Sequence, residues 1–368
     1  MTIQNRELTK YVLNQLQFLG VDHGQVSMDT QKKYEFNIER GKISLLRTVE
    51  SNQLNLHSIK NRRQGKISTN HLTTDSINQT CKDLLEQTLS SPKDQFYKIA
   101  DKEENRDLKF NVGTPDYDLI HEKIETFLKD VKVDYPKIIL EQAAVIYIDT
   151  EKTVLNSNGV HHQIHQGHFD FWGMFTAKDG EKTSSFNYSS VSMNHLNQEL
   201  LEVGTFKTLF KQSLEQLDQK SLNQKFKGDI IISPDCLQEF LYDLTLPLYD
   251  HQMLDGTSIL KGKIGRQVAH GDFTFTMSPR NTDLVPGLLN TDGYITENTW
   301  DMKFTGKGIT RKFFINFKFT YEETIDLAMK YLRYGKYDAL YYDMSDPRVH
   351  GTVPKRHKLF LGLEDIIP

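Results

Sequence analysis

The stretch YEFNIERGKISLL, residues 34–46, contains two short runs in which apolar and polar residues are mixed, separated by a charged turn with a glycine. Tyr34, Phe36 and Ile38 recur at every second position of the first run, and Arg40-Gly41-Lys42 then marks the turn. Alternation with period two is typical of a strand that buries one face. The stretch therefore predicts two neighbouring antiparallel strands.

Further elements extend this pattern in both directions. Leu54 to Ser58 predicts a third strand, with a turn at Arg63-Gln64-Gly65. Before the strands, apolar residues at helical spacing predict a helix over residues 8–19. After them, Thr74-Asp75-Ser76 begins a second helix, which Ser90-Ser91-Pro92 ends. The first predicted unit is thus helix, antiparallel meander, helix.

The same order of elements recurs after a charged connection, residues 93–115. The predicted elements are a helix over 117–131, strands over 138–147, 161–175 and 184–191, and a long helix over 196–217. Beyond residue 219, short strands, a few helices and glycine-rich turns predict a mainly β region. The predicted fold class is α+β, with an N-terminal domain at 1–110, a middle domain at 111–220 and a C-terminal domain at 221–368.

The composition indicates a well-solvated globular protein. Of the 368 residues, 26% are charged, the formal net charge is −4 and the mean hydropathy is −0.54. No apolar run is long enough to cross a membrane and no signal peptide is recognisable, so we expect a cytoplasmic protein. Cys81 and Cys236 suit buried thiols better than a disulfide. The slightly acidic balance provides no field that would attract nucleic acid.

Sequence motifs for hydrolytic or nucleotide chemistry do not occur. A zinc protease helix needs two histidines one turn apart beside a glutamate, and the sequence contains no HExxH. In the densest histidine group, His162 and His168 would point to one face of a strand while other members point to the opposite face. The alternative is a non-standard metal site, for which the candidate ligands are His161, His165, His350 and His357.

Several segments resemble, in order along the chain, the TldD/PmbA family, whose members were once described as modulators of DNA gyrase and are understood as peptide-processing proteases. The most specific segment is GTSILKGKIGRQVA, residues 256–269, which matches the family's Ser-x-x-x-Gly-x-x-Gly pattern. LNSNG, residues 155–159, resembles the family's Asn-Ser-x-Gly turn, and Asp292-Gly293 resembles its acidic-Gly turn.

The resemblance implies the metal-free branch of that family. In zinc-bearing members the helix before the Gly-Thr-Ser segment carries the metal ligands, whereas residues 237–247 contain no histidine here and end in Pro247. A PmbA/TldE-like subunit would process unfolded, extended peptides together with a zinc-bearing TldD-like sibling. We therefore expect no catalytic residue and no cofactor in this chain, and zinc in the partner. A homodimer and a gyrase-associated or nucleic-acid-associated modulator are the alternatives.

Candidate loop and turn residues follow from the same resemblance. Glycines at such positions can equally serve tight turns, because glycine tolerates a positive φ. The candidate substrate-contact or partner-contact loop comprises Gly256, Thr257, Ser258, Gly262 and Gly265. The candidate structural turns comprise Asn156, Ser157, Gly159, Asp292 and Gly293.

Overall fold

The computed structural model describes residues 2–94, 97–218, 257–259, 261, 274–277, 285, 300–305 and 308–313. The helices in these residues are α1 (Thr2–Phe18), α2 (Thr74–Ser90), α3 (Tyr117–Asp134) and α4 (Phe206–Glu215). The strands are β1 (His23–Glu39), β2 (Lys42–Lys60), β3 (Arg63–Thr69), β4 (Arg106–Phe110), β5 (Ile138–Asn156), β6 (His161–Asp179), β7 (Lys182–Thr183), β8 (Asn187–Met193), β9 (Thr274–Met277), β10 (Trp300–Thr305) and β11 (Gly308–Phe313). The predicted α+β class is confirmed. No described helix is long and apolar enough to span a membrane.

A single large sheet carries both helix, meander, helix units. Its strand order is β3-β2-β1-β5-β6-β4, with β7 and β8 also pairing with β6. All of these pairs are antiparallel except β4 with β6. The two units meet where β1 pairs with β5, from Gln25 opposite Asn156 to Glu39 opposite Gln142. The boundaries at residues 110 and 220 stay predictions. A second antiparallel sheet has the order β11-β10-β9.

The first hydrophobic core lies where α1 and α2 pack on one face of β1, β2 and β3. Thr73 caps α2, because its Oγ1 accepts a hydrogen bond from the Ser76 N–H at 3.4 Å. Cys81 is a free, buried thiol whose pKa burial raises to about 11. The core side chains are Val12, Leu13, Leu16, Val26, Met28, Leu54, Leu56, Ile77, Cys81 and Leu84.

The second core lies under α3 and α4 at the other end of the sheet. Its centre is aromatic: the rings of Phe171 and Phe206 stack at 4.5 Å, and those of Phe175 and Phe210 meet edge to face at 4.5 Å. Asp116 caps α3 through a hydrogen bond from the Leu119 N–H to its Oδ1 at 3.0 Å.

Both cores occupy the same face of the sheet. Met28 belongs to the first core and Phe36 to the second, and they are separated by an even number of residues along β1. The register shift in the pairing of β1 with β2 falls only at Asn37 and Ile38, beyond this span. Alternation along an uninterrupted strand therefore directs both side chains to one face.

Three local predictions need correction. The turn between β2 and β3 is made by Asn61 and Arg62, with φ of 52° and 62°, so Arg63-Gln64-Gly65 belongs to β3. The connection over residues 93–115 contains β4 as well as buried Ile99 and Ala100. The helix predicted over 196–217 is regular only from Phe206 to Glu215.

Candidate functional site

A polar band crosses the helix-covered face of the sheet between the two cores. The alternation that places Met28 and Phe36 on this face also places the intervening even-numbered residues of β1 there. Antiparallel pairing aligns them with residues of β5, and those in turn with β6. We define the polar band as Thr30, Lys32, Tyr34, Tyr147, Asp149, Glu151, His165 and Gly167.

His165 is the centre of a small charged cluster in this band. Its Nε2 lies 2.7 Å from Asp149 Oδ1 and 4.0 Å from Glu151 Oε1. The three side chains are between 22% and 25% exposed, so water reaches all of them. A carboxylate at hydrogen-bond distance fixes the orientation of an imidazole. The cluster is therefore oriented and accessible, and its carboxylate oxygens can accept hydrogen bonds from a bound group.

A cavity of about 100 Å³ opens beside His165. Its volume exceeds that of a few water molecules but falls below that of a typical ligand pocket. Glu151 Oε2 is buried and has no hydrogen-bond partner among the described residues. The cavity is lined by Asp107, Lys109, Glu151, Lys152, Thr153, Gln163, Ile164 and His165.

Tyr147 and Gly167 form the most constrained part of the polar band. The Tyr147 hydroxyl donates a hydrogen bond to the Asn111 carbonyl oxygen at 2.9 Å. Burial, and next the charge of Asp149, raises the pKa of Tyr147, which keeps that hydroxyl protonated. A Cβ at Gly167 would lie 2.0 Å from the Tyr147 hydroxyl and 2.3 Å from the Asn111 carbonyl. Only glycine therefore allows the tyrosine to cross β6 at this point.

The other histidines of β6 make separate contacts. His162 is fully buried; its Nδ1 accepts a hydrogen bond from the Arg106 N–H at 3.2 Å, and its Nε2 lies 3.5 Å from Glu103. The Nε2 of His168 lies 3.7 Å from Asp170 on the opposite face from His165. Burial is the main cause that lowers the pKa of His168.

The two candidate metal ligands within the described part of the chain, His161 and His165, lie apart. His161 and His165 share a face of β6 but are separated by four residues, or about 13 Å along a strand. Burial, followed by the charges of Arg6 and His162, lowers the pKa of His161. Among the described residues, no group of three or more histidine, cysteine or carboxylate side chains could hold a metal ion. His350 and His357 lie outside the described residues.

The candidate turn at residues 156–159 connects β5 with β6. Asn156 Oδ1 accepts hydrogen bonds from the Asn158 and Val160 N–H groups at 2.9 and 3.0 Å. Ser157 contacts the start of β1, since its Oγ accepts from the Gly24 N–H at 3.1 Å. Gly159 has a φ of 93°, which favours glycine. These contacts hold the turn against the first unit.

The candidate contact loop is described only in part. Thr257 is exposed and Ser258 is buried. The Lys261 N–H donates to the Ser258 carbonyl at 3.1 Å, which closes a tight turn with Ile259 exposed. Outside the described residues lie Gly256, Gly262, Gly265, Asp292 and Gly293.

Sequence reasoning missed the partners of His165. Asp149 and Glu151 alternate along β5, which is the signal of a polar strand face. Nothing local indicates that this face aligns with His165, because the register depends on the pairing of β5 with β6. The predicted strand also ended at residue 147, before either carboxylate.

Neither a protein-family model nor a curated protein sequence matches the chain. Solved structures do match. TldE from Thermococcus kodakarensis is similar with a TM-score of 0.63 at 15% identity, covering 83% of this chain and 69% of that chain. A proposed modulator of DNA gyrase from Bacteroides thetaiotaomicron has a TM-score of 0.64 at 21% identity, covering 85% and 72%. Its counterpart from Thermotoga maritima has a TM-score of 0.58 at 15% identity, covering 85% and 71%. The chain therefore has the fold of the TldD/PmbA family, as the resemblance of its sequence motifs implies.

Proposed function

We propose that this chain is a TldE/PmbA-like subunit that acts with a zinc-bearing TldD-like sibling on unfolded peptides in the cytoplasm. The observation that carries the proposal is the similarity to TldE over 83% of the chain. The sequence adds a second argument, because residues 237–247 contain none of the histidines expected of the zinc-bearing branch. In such a pair, this chain contributes surface to bind peptide, and the sibling contributes the metal.

The histidines of β6 suit this division of labour. His162 and His165 each have a protein partner within the sheet, at 3.2 Å for the Arg106 N–H and 2.7 Å for the Asp149 carboxylate. A histidine that ligates zinc must present an unprotonated nitrogen to the metal alongside two or three further ligands. A carboxylate on one ring nitrogen, as on Nε2 of His165, is also common in zinc-ligating histidines. What favours a role in the sheet or in binding is that, among the described residues, His165 belongs to no group of three side chains that could hold a metal ion.

The deciding experiment combines metal analysis with reconstitution. The full chain is purified without chelators, its zinc content is measured per chain, and it is then mixed with an HExxH-bearing sibling. We expect zinc well below one per chain, and cleavage of an unfolded peptide by the mixture but by neither protein alone. Sibling stripped of its zinc is the control. Stoichiometric zinc with chelator-sensitive cleavage by this chain alone would instead establish a stand-alone metallopeptidase.

A gyrase-associated modulator is the second candidate, because two of the similar structures bear that description. A shallow depression of about 470 Å³ at the turn between β2 and β3 is lined by Asn61, Arg62, Arg63 and Lys93. Arg63 donates to the Ser91 carbonyl at the end of α2, which leaves Arg62 and Lys93 to meet an anion. If this candidate holds, duplex DNA binds with an affinity that falls steeply with salt and falls again in R62E. If duplex DNA does not bind in this way, the peptidase-subunit proposal is favoured.

A further inference from the structure

Within the described part of the chain, the outer edge of β2 has no partner strand along half of its length. β2 pairs with β1 along almost its whole length, whereas β3 pairs with it only from Leu54 to Lys60. From Leu45 to Gln53 no other described strand lies beside it. Nine residues of strand span about 30 Å. Open edges of this length are uncommon, because their unpaired backbone groups attract other strands.

The turn between β2 and β3 shows which backbone groups face outward. Asn61 and Arg62 both have positive φ, as in a two-residue type I′ hairpin, so Lys60 and Arg63 form a hydrogen-bonded pair. Even-numbered residues of β2 therefore point their N–H and C=O groups away from β1. The register with β1 is unbroken from residue 45 to residue 59, so the same holds for Leu46, Thr48, Glu50 and Asn52.

The side chains along this edge are apolar and exposed. Leu45, Leu46 and Val49 are 47%, 57% and 39% exposed. Leu45 and Val49 project from one face of the strand, and Leu46 projects from the other. A strand placed beside β2 would cover apolar side chains on both faces while satisfying the row of backbone groups.

The charges of the edge are already balanced within the sheet. Arg47 forms an ion pair with Glu35 on β1, and Glu50 lies directly opposite Lys32. Natural sheets often protect an open edge with unpaired charges that repel a second strand. Because each of these two residues lies opposite a residue of opposite charge on β1, the edge has little net charge and neither repels a neutral strand nor demands a charged one.

A second copy of this chain fits the edge poorly. Antiparallel pairing of two β2 strands about a two-fold axis sets even residues against even residues and odd against odd. Arg47 can therefore never face Glu50 of the other copy. An axis at either of these residues sets like charges together. An axis at Thr48 sets Leu46 against Glu50, and an axis at Val49 sets Leu46 against Asn52.

We propose that the outer edge of β2, from Leu45 to Gln53, binds an extended polypeptide with alternating apolar residues by adding it as a further strand. Backbone hydrogen bonds to Leu46, Thr48, Glu50 and Asn52 provide affinity that is largely independent of sequence. The source of the polypeptide, an unfolded peptide substrate, rests on the proposed function; the binding itself follows from the edge.

The test removes a single outward N–H group. The probe is the fluorescein-labelled peptide KTVTVTVTK, whose binding to the purified full chain is followed by fluorescence anisotropy. Thr48→Pro deletes an N–H that faces away from β1, and proline is tolerated on edge strands, so β1 and β2 stay paired. Thr48→Val keeps the N–H and is the matched control. We expect T48P to weaken binding about tenfold or more, and T48V to change it less than about twofold.

Equal binding of the peptide by wild type and T48P overturns the proposal. Glu50→Pro removes the next outward N–H and repeats the test if thermal melting shows that T48P has lost its fold. A wild-type dimer that T48P converts to a monomer, without peptide binding, also overturns it in favour of a second copy. The outcome is separable from the proposed function, because binding is measured without the sibling. If this chain and its sibling together cleave peptide, but T48P binds the probe as well as the wild type does, the strand-addition proposal is wrong and the proposed function stands.

Discussion

Gly167 controls how the Tyr147 side chain crosses β6. A methyl group there would lie 2.0 Å from the tyrosine hydroxyl and 2.3 Å from the Asn111 carbonyl, so either the hydrogen bond or the strand must shift. We expect Gly167→Ala to lower the free energy of unfolding by about 1–3 kcal/mol in urea denaturation. Gly113→Ala is the control, since its Cβ would meet nothing within 4 Å. Equal stability of the two variants would contradict the close packing at Gly167.

His57 links stability to pH. Burial, and next the charge of Lys66, lowers its pKa from 6.5 to about 3, against the opposing effect of a hydrogen bond from its Nε2 to Gln64 Oε1. The unfolded chain therefore binds a proton between these values that the folded chain does not. The stability contributed by neutral His57 is fully present above pH 6.5 and is lost as the pH falls toward 3.

A pair of histidine variants isolates that effect. Between pH 6.5 and 4.5 we expect urea denaturation of His57→Gln to show a pH slope smaller by up to about 1.4 kcal/mol per pH unit than that of the wild type. His71, which is exposed, provides the control variant His71→Gln with the wild-type slope. If the pH slopes of H57Q and H71Q coincide, His57 does not cause the loss of stability between pH 6.5 and 4.5.

At the scale of elements, a single hydrogen bond fixes the start of α3. Asp116 Oδ1 accepts from the Leu119 N–H, which would otherwise be an unsatisfied donor of the first turn. We expect Asp116→Ala to cost about 1 kcal/mol in thermal or urea unfolding. Asp118→Ala is the control: it also replaces an aspartate at the start of α3, but Asp118 is not the capping residue, so its loss should lower stability less. A larger loss in D118A would contradict the capping role.

Helices with capping residues could be predicted from the sequence, and long strands could not. Thr73 and Ser91 frame α2 as the Thr-Asp and Ser-Ser-Pro signals indicate. β5, however, continues past the predicted end at residue 147 to Asn156. Its residues in the polar band beyond that point, Asp149 and Glu151, are charged, so the alternation of apolar residues that would reveal a strand is missing there. Leu196, Leu200 and Leu201 have the spacing of a helix and are buried, yet their backbone is irregular. Their apolar spacing reflects burial rather than helical structure.

The candidate site was only partly predictable for a related reason. The histidines of β6 are visible in the sequence, and alternation correctly separates His165 from His162. Their partners are distant in sequence: Asp149 comes from β5, and the Arg106 N–H comes from β4. β4 has no hairpin signal because it pairs with β6 in parallel, through a connection of about 50 residues.

At the scale of the whole molecule, the shared sheet couples the two cores. Leu84 of α2 is fully buried in the first core, and Leu84→Ala should cost about 2–5 kcal/mol. Because β1 lines both cores, we expect hydrogen exchange to show lower protection in α3 as well as in α2. Leu89→Ala, on the same helix at an exposed position, should have little effect on either. Unchanged protection in α3 would indicate that the halves unfold independently, as a boundary at residue 110 predicts.

Because the two units meet through strand pairing such as that of β1 with β5, the chain can be divided into two complementary fragments. A cut between Gly113 and Thr114 would leave β1 and β4 on one fragment, and their partners β5 and β6 on the other. Each fragment would keep its own pair of helices but would expose a long unpaired strand that only the other can cover. Fused to two unrelated proteins, such fragments would act as a complementation reporter that assembles when those proteins meet.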